Sequence, residues 1–315
     1  MQWQLLTRLG ILLLSLTVAS LIIFLVVQVL PGDPAQVVLG VNATPDALAQ
    51  LRHQMGLDLP GWQRYLAWIG GILHGDFGTS QVSSAPVAEL IRQKLSVSAP
   101  LALLGMAVSV LISVPLGVIA GVRYRRLSGA MISALSLGGI AIPAFWAALL
   151  MITVFAIRLH LVPAGGFVAW SDDPVGAFRS LLLPAVSLGL VQGAILTRYI
   201  RSSIVDVLRE DYIRTARAKG LTRWQALRRH GFRNAAIPVV TVLGLQLTSL
   251  LVGAVVIENV FYLPGLGRML IQAIGNRDLV VIQATVMLLT GVVLVVNFLV
   301  DVSYRLLDPR IRAAR

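Results

Sequence analysis

Long apolar segments dominate this sequence and restrict what it can fold into. The first covers residues 9–30, and at about 1.5 Å of rise per residue it would span roughly 33 Å as a helix, enough to cross a bilayer core. Five more segments with few or no interior charges follow, at 98–122, 130–157, 181–199, 236–257 and 280–304. Because lipid offers the backbone no hydrogen-bond partners, we predict an all-α, polytopic membrane protein with six transmembrane helices.

The composition agrees with a membrane environment. Hydrophobic residues make up 57% of the chain and charged residues 13%, and the mean hydropathy of +0.83 lies outside the range of ordinary soluble domains. The chain has no cysteine, which excludes disulfides, thiolate metal sites and cysteine nucleophiles. The first apolar segment is too long for a signal peptide and no small-residue cleavage site follows it, so we expect it to be retained.

The basic residues are distributed unequally along the chain. Lys and Arg outnumber Asp and Glu by 26 to 14, a balance that could suggest nucleic-acid binding. Most of these basic residues, however, fall in the segments that six spans would place on one side, above all in residues 201–235. The positive-inside rule therefore places both termini in the cytoplasm, and topology explains the basic excess without a nucleic-acid partner.

Four regions follow from this topology. Residues 1–30 form an N-terminal transmembrane helix, 31–97 an extracytoplasmic segment, 98–304 a transmembrane core that includes the loop 201–235, and 305–315 a cytoplasmic tail. The segment 31–97 predicts short amphipathic helices of its own. Thr44 can cap one that starts at Pro45 and stops at Gly56, and Trp62, Tyr65 and Trp68 indicate a second helix at the membrane interface.

The loop 201–235 is basic and yet patterned. Gly220 predicts the end of one helix, Thr222 can cap a second, and Leu221, Trp224 and Leu227 recur every three residues as one apolar stripe. Such a stripe favours docking into a groove of a partner protein. The alternative is a helix that lies on anionic lipid headgroups at the membrane surface.

Enzyme functions find little support in the sequence. His53, His74, His160 and His230 are isolated, without the spacing of a metal site, and no Gly-x-x-x-x-Gly-Lys-Ser/Thr phosphate loop is present. The serines within the apolar segments have no His or Lys partner in register. A secondary transporter or channel is the stronger competitor, although the spans have almost no charges away from their ends and no inverted repeat is evident.

Two stretches of the loop carry a specific resemblance. Residues 210–222 and 229–238 resemble the cytoplasmic loop of bacterial ABC-importer permeases, in which a short helix docks into the ATPase subunit. Two departures stand out: Arg214, Thr215 and Ala216 replace the leading Glu-Ala-Ala, and residues 230–233 replace the Ile-x-Leu-Pro ending. The resemblance implies an ATPase-coupling role for a set of loop residues, namely Ala216, Gly220, Leu221, Thr222, Trp224, Gln225, Leu227 and Arg228.

Further motifs extend the resemblance over nearly the whole chain. They are Pro-Gly-Asp-Pro at 31–34, Gly-Asp-Phe-Gly-Thr-Ser at 75–80, Ile-Pro-Ala-Phe-Trp at 142–146, the segment 257–267, Asn-Arg-Asp at 276–278 and Asp-Pro-Arg at 308–310. Together they are similar to the "B" type permease of bacterial dipeptide/oligopeptide/nickel importers. The resemblance implies the type I importer permease fold and a place in the bacterial inner membrane.

The resemblance also implies a function with defined partners. It predicts a permease subunit of an ATP-driven, binding-protein-dependent importer of di- or oligopeptides, which forms the path with a homologous second permease. Two cytoplasmic ATP-binding subunits and an extracytoplasmic substrate-binding protein complete the system. No cofactor or metal is expected on this chain, since ATP and Mg would be bound by the ATPase subunits. An importer of nickel chelates or other small solutes is the alternative.

Polar residues inside the spans are candidates for the translocation path, because polarity in lipid is costly unless compensated. They are Gln192, Gln246, Thr248, Ser249 and Asn297. Hydrogen bonding between helices is the alternative explanation for each. Glu258 and Asn259 lie at a predicted outer helix end, where they could contact the binding protein or form a simple interfacial polar group.

Overall fold

The computed structural model describes residues 2–29, 34–40 and 43–307. Within these residues the regular structure is helical, apart from one isolated bridge between Thr79 and Pro86. The helices are α1 (Gln2–Val29), α2 (Pro34–Leu39), α3 (Pro45–Gln54), α4 (Gly61–Leu73), α5 (Val87–Val122), α6 (Leu127–Ala141), α7 (Ala144–Met151), α8 (Pro174–Val207), α9 (Asp211–Ala218), α10 (Arg223–Ala226), α11 (Phe232–Val260), α12 (Leu266–Asn276) and α13 (Leu279–Leu307).

Five stretches of helix among the described residues are long and apolar enough to cross a membrane. They are Leu5–Gln28, Val87–Val122, Pro174–Val207, Arg223–Val260 and Leu279–Ser303. These correspond to five of the six predicted spans and confirm the all-α prediction.

The remaining predicted span, 130–157, is divided at a proline. Helix α6 and the stretch Ala144–Arg158, which ends in π-helical turns, meet at an angle of 99°. Pro143 separates them, and Ile142 before it has the extended conformation (φ −84°, ψ 120°) that a following proline favours. The chain therefore has six spans if this bent pair crosses as one. Pro115, Pro184 and Pro238 lie inside helices instead.

Several helices extend well beyond the apolar segments that predict them. Helix α5 has 36 residues, about 54 Å at about 1.5 Å per residue, whereas a bilayer core is about 30 Å thick. It begins at Val87, so the predicted boundary between the extracytoplasmic segment and the core, at 97/98, falls inside a helix. Glu89, Arg92 and Lys94 make its first turns polar without interrupting it.

The chain divides into two compact units. The first unit comprises Met1–Val97 and Pro264–Val295, and the second comprises Ser98–Leu263 and Val296–Arg315. In the first unit, Thr44 caps α3 by accepting from the amide of Ala47, and Pro45 begins the helix, as the sequence predicts.

Aromatic contacts join α1 to α4 in the first unit. Phe24 packs edge-on against Tyr65, with ring centroids 5.4 Å apart, and stacks on Trp68 at 6.0 Å. The Tyr65 hydroxyl is 2.8 Å from the Ser20 hydroxyl. The inner face of the predicted interfacial helix α4 is thus fixed to the first span, while Trp62 points outward and is 64% exposed.

A buried carboxylate, Asp278, links two segments of the first unit that are distant in the sequence. Asp278 accepts a hydrogen bond of 2.5 Å from the Ser80 hydroxyl and one of 3.3 Å from the Gln81 amide. It also caps the start of α13 through the amide of Val281, at 3.3 Å. The loop that contains residues 75–80 is therefore tied to the α12–α13 turn.

The second unit is organised around α8. A Cβ added to Gly189 would lie 2.7 Å from the carbonyl oxygen of Gly105, and one added to Gly117 would lie 3.0 Å from that of Thr197. The residue numbers increase together along the two helices, from 105 and 189 to 117 and 197, so α5 and α8 run parallel. Small residues line the seam between them and let the two backbones approach closely. Gly189 lies in this seam, where an added Cβ would also meet the side chain of Val108 at 2.7 Å.

Two hydrogen bonds fix the register of α8 against α11. The Ser203 hydroxyl donates to the carbonyl of Ala235 at 2.8 Å, and the side-chain amide of Gln246 donates to the carbonyl of Gln192 at 2.9 Å. As the number rises on α8 it falls on α11, so the two helices are antiparallel. The loop between them lies at one end of this pair.

Candidate functional site: the loop between α8 and α11

The loop has the helix, glycine break and short helix that the sequence predicts. Helix α9 ends at Ala218, and Gly220 has φ +93°, a left-handed conformation that glycine adopts without strain. The amide of Gly220 donates to the carbonyl of Arg217 at 3.0 Å, which closes the helix end. The chain then turns into α10, which a π-helical turn, Leu227–Gly231, connects to α11.

A capping box starts α10. The Thr222 hydroxyl accepts from the amide of Gln225 at 3.2 Å, and the Gln225 side chain accepts from the amide of Thr222 at 2.9 Å. This confirms the predicted capping role of Thr222 and gives Gln225 a local structural role. Two of the amides that the first turn of a helix leaves unpaired are satisfied in this way.

The structure divides the predicted apolar stripe between two environments. Leu227 is fully buried and Leu221 packs half-buried against the same cluster, whereas Trp224 is 47% exposed. The two leucines therefore anchor the loop to its own chain. Of the three residues in the stripe, only Trp224 is exposed to another molecule. A partner groove would therefore contact Trp224 and its polar neighbours but not Leu227.

A hydrophobic cluster holds the loop helices on the ends of the long helices. Ile213 and Ala216 of α9 and Ala226 of α10 are buried in it together with Leu227. From the long helices the cluster includes Val118, Leu196, Ile200, Ile204 and Val207. Because packed side chains transmit displacement, a force on α10 would be passed to α5 and α8. Ala216, a predicted coupling residue, is part of this anchor.

Polar contacts tie the loop to neighbouring elements and involve residues that the sequence analysis missed. The guanidinium of Arg223 lies 5.4 Å from the ring centroid of Tyr124, in the α5–α6 turn. The Tyr212 hydroxyl accepts from the Asn234 side chain at 2.9 Å, which joins α9 to α11. No periodicity singles out Tyr124. The only sequence signal at Tyr124 is the cluster of basic residues around it, Arg123, Arg125 and Arg126.

The outward surface of α10 combines one aromatic side chain with positive charge. We call Trp224, Gln225 and Arg228 the loop surface; all three are exposed. Arg229 and His230 are exposed beside it. An exposed indole surrounded by cations and amides suits a partner groove with an apolar floor and an acidic rim. No group of three or more metal-ligating side chains occurs among the described residues.

The predicted path residues fall into two groups. Gln192 and Gln246 are buried, 8% and 4% exposed, and the hydrogen bond from Gln246 to the carbonyl of Gln192 joins α11 to α8. Gln246 thus makes a hydrogen bond between helices, which is the alternative to lining the translocation path. Thr248 and Asn297 are half-buried and Ser249 is exposed. Ser249 and Asn297 therefore have the accessibility that a path-lining residue needs, whereas the hydroxyl of Thr248 is buried.

Buried polar atoms are concentrated near these residues. Within the described part of the chain, the Oε1 atoms of Gln192 and Gln246, the Ser109 hydroxyl and the Thr248 hydroxyl have no hydrogen-bond partner. Ser109 was not predicted; it packs beside Gly193 in the α5–α8 seam. Its spacing of four residues from Gly105 and Ser113 is the signal that could have identified it.

The prediction that Glu258 contacts a delivering protein needs correction. Glu258 is only 1% exposed, and the Ser98 hydroxyl donates to its carboxylate at 2.5 Å. Burial of this kind leaves no carboxylate surface for another protein to reach, so we interpret Glu258 as a structural residue that joins α11 to α5. Asn259 is half-buried and donates to the carbonyl of Val255 at 2.7 Å.

Comparison with known proteins yields two family matches. Residues 113–313 match the family described as binding-protein-dependent transport system inner membrane component. Residues 1–102 match the N-terminal family of membrane components of such systems.

Individual relatives match over nearly the full chain. A protein of Brucella abortus (strain 2308) named for a peptide transport system permease is 40% identical, over 94% of both chains. The dipeptide transport system permease protein DppB of Escherichia coli (strain K12) is 38% identical, over 98% of both chains. The glutathione transport system permease protein GsiC of Escherichia coli O1:K1 / APEC is 39% identical, over 95% of both chains.

A solved structure has the same fold over most of the chain. It is an inward facing conformation of the MetNI methionine ABC transporter, with a TM-score of 0.56 and 19% identity. The match covers 70% of this chain and 97% of the other. At this identity the likeness concerns the fold, and it agrees with the type I importer permease class predicted from the sequence.

Proposed function

This chain belongs to the family of binding-protein-dependent transport system inner membrane components, and we propose that it is the permease subunit of an ATP-driven importer of di- and oligopeptides. It is a multi-pass protein of the inner membrane. Its own part is to form a translocation path and to receive motion from ATPase subunits, without bond-making chemistry of its own.

The observation that carries the coupling role is the division of the loop into anchor and exposed surface. Leu227 and Ala226 are buried in the cluster on α5 and α8, while Trp224, which lies between the two residues of the capping box, remains exposed. A partner groove that holds the loop surface would displace α10. Because α10 is packed against the long helices, the displacement would reach the spans as a rigid shift.

The partners follow from this role. A homologous second permease would complete the path as a heterodimer, two ATP-binding subunits would dock on the loop surfaces, and an extracytoplasmic binding protein would deliver substrate. ATP and Mg would be bound by the ATPase subunits, with no cofactor or metal on this chain. Both termini and the basic loop would face the cytoplasm, in line with the positive-inside rule, and lipid rather than nucleic acid would surround the chain.

Thr248, Ser249 and Asn297 are the residues to which we assign the path. They lie on α11 and α13; Ser249 and Asn297 are accessible within this chain, whereas the Thr248 hydroxyl is buried and would have to rotate toward the path. Hydroxyl and amide groups suit the peptide bonds of a neutral substrate, since they donate and accept hydrogen bonds without carrying charge. Gln192 and Gln246 are buried, and their unpaired oxygens could bind water or rearrange between conformations.

The substrate class is supported by the names of the relatives, which specify a peptide, a dipeptide and glutathione. All three substrates contain peptide bonds. A nickel chelate is the alternative that the sequence resemblance leaves, and the competition experiment below separates the two.

Uptake into proteoliposomes tests the proposal. They would contain this chain, the second permease and the ATPases, with the binding protein outside and ATP inside. We expect labelled dipeptide to accumulate only when ATP and binding protein are both present, and unlabelled di- and oligopeptides to compete. Accumulation through this chain alone, without ATP, would indicate a channel or secondary transporter. ATP-dependent uptake of nickel chelate that peptides do not inhibit would contradict the peptide assignment.

A further inference from the structure

The first compact unit contains a cavity where α1 ends and α13 begins. Its volume is about 470 Å³, and its lining includes Gln28 at the end of α1 and Leu279 and Gln283 in the first turns of α13. The size lies in the range of sites that bind small molecules or headgroups. The proposed peptide path does not use it, because none of the residues assigned to the path contributes to its wall.

The wall of this cavity carries positive charge. Arg52 of α3 and Arg64 of α4 line it together with one carboxylate, Asp58, in the turn between these helices. The ionisable lining therefore contains two guanidinium groups and one carboxylate. Arginine is the side chain best suited to phosphate groups, since its planar guanidinium can donate two parallel hydrogen bonds.

Two amides in the wall have unsatisfied atoms. Among the described residues, the Oε1 atom of Gln81 and the Nε2 atom of Gln283 are buried and have no hydrogen-bond partner. Both residues line the cavity. Buried polar atoms without partners are rare in native structures, and a ligand or an ordered water that both donates and accepts hydrogen bonds would satisfy these two.

The position of the cavity places it at the level of lipid headgroups. Gln28 ends the apolar stretch Leu5–Gln28, and Leu279 begins the apolar stretch Leu279–Ser303. A site between the ends of two spans lies at the boundary of the hydrocarbon core. Tyr65 and Trp68 of α4 pack on Phe24 beside it, and such aromatic residues are typical of this level.

An apolar surface leads from the membrane to the cavity. Phe24, Val27, Leu279 and Val280 are part of its lining. Along α1, exposed aliphatic side chains continue toward the membrane interior, namely Leu21, Ile22, Leu25 and Val26. A ligand with a charged head and acyl chains would match both parts, whereas a free inorganic anion would use only the first.

We propose that this cavity binds the phosphodiester headgroup of an anionic phospholipid, with Arg52 and Arg64 on the phosphate and the amides of Gln81 and Gln283 on the remaining polar atoms. In the proposed topology the lipid belongs to the outer leaflet. Its headgroup would join α1, the α3–α4 turn and α13, and so stabilise the first unit at the membrane surface.

Native mass spectrometry of the full chain in detergent tests the proposal. The probe is phosphatidylglycerol, compared with diacylglycerol of identical acyl chains. We expect phosphatidylglycerol to be retained and diacylglycerol to be lost. The double variant Arg52→Gln/Arg64→Gln should bind phosphatidylglycerol on the order of tenfold more weakly, because two charge-assisted contacts are removed. Gln283→Leu, which keeps all charges, should also weaken binding.

Arg92→Gln is the matched control, since Arg92 is exposed in the same unit and pairs with Glu89 at 3.1 Å. It should bind phosphatidylglycerol like the wild type. Gel filtration and thermal unfolding establish that each variant is folded, and the two single arginine variants replace the double variant if it is not. Equal retention by the cavity variants and the wild type would overturn the proposal. Displacement of the lipid by inorganic phosphate would also overturn it, because the site would then take a soluble anion.

Discussion

The guanidinium of Arg223 lies over the ring of Tyr124, 5.4 Å from its centroid. This contact joins the first residue of α10 to the turn between α5 and α6, on the same side of the second unit as the hydrophobic cluster of the loop. Leu227 fixes the other end of the short helix by burial. Helix α10 is therefore held at both ends, and Trp224 projects between these two attachments.

A double-mutant cycle measures the first attachment. We expect Arg223→Gln, Tyr124→Leu and the double variant to give a coupling energy of about 0.5–1 kcal/mol in the free energy of unfolding, the usual size of an exposed cation–π contact. Denaturant unfolding in detergent micelles supplies the four values. Strict additivity of the two single effects would show that the contact contributes nothing.

Burial of Leu227 predicts a larger effect. Leu227→Ala should lower the free energy of unfolding by about 2–5 kcal/mol, because it removes a buried side chain and leaves a cavity in the cluster. The control is Leu161→Ala, since Leu161 is 68% exposed and should tolerate the change. Similar unfolding curves for the two variants would mean that the loop is not anchored as described.

The contrast between Leu227 and Trp224 also shows how far the sequence can predict this site. The three-residue spacing, the glycine break and the Thr222 cap predict the local helices, and these are confirmed. Spacing cannot tell which apolar residues of a short helix face their own chain, because that depends on side chains such as Val118 and Ile200 from distant segments. The spacing therefore predicts that Leu227 faces a partner, whereas the structure buries it as an internal anchor.

The fold shows a similar limit. Hydropathy identifies the membrane-crossing segments, because lipid requires continuous apolar helices there. It does not identify helical turns that continue into water, as in the polar start of α5. Nor does it show whether a proline bends a helix or divides it: Pro184 lies inside α8, whereas Pro143 separates α6 from α7. Glu258, assigned to the surface from its position near a helix end, is buried against Ser98.

The cap of α10 predicts a local effect. Thr222→Ala removes the side-chain acceptor of the Gln225 amide and should destabilise the first turn by about 1 kcal/mol. Amide hydrogen exchange in residues 222–227 would become faster, while exchange in α8 stays unchanged. Thr222→Ser retains the hydroxyl and should exchange like the wild type. Equal protection in the alanine and serine variants would contradict a role of the capping box.

The seam between α5 and α8 predicts opposite results for two glycines. Gly189→Ala would bring a Cβ within 2.7 Å of the carbonyl oxygen of Gly105, so the helices must separate, and we expect a loss of about 1–3 kcal/mol in stability. Gly138 has no atom within 4 Å of the position of an added Cβ. Gly138→Ala should leave stability unchanged or raise it by up to about 1 kcal/mol, through the better helix propensity of alanine.

Both glycine variants can be compared by thermal unfolding of the purified chain under identical detergent conditions. A midpoint for Gly189→Ala equal to that of Gly138→Ala would contradict the close approach of the two helices.

Photo-cross-linking from position 224 tests the central claim that the loop surface docks on an ATPase subunit. The natural chain contains no cysteine, so Trp224→Cys introduces a single thiol to which benzophenone maleimide can be attached in the assembled complex. Trp62→Cys, at an exposed tryptophan in the first unit, is the matched control. The account predicts a cross-link to the ATPase subunit from position 224 and none from position 62. Absence of that product from position 224 in an intact, ATP-hydrolysing complex would contradict it.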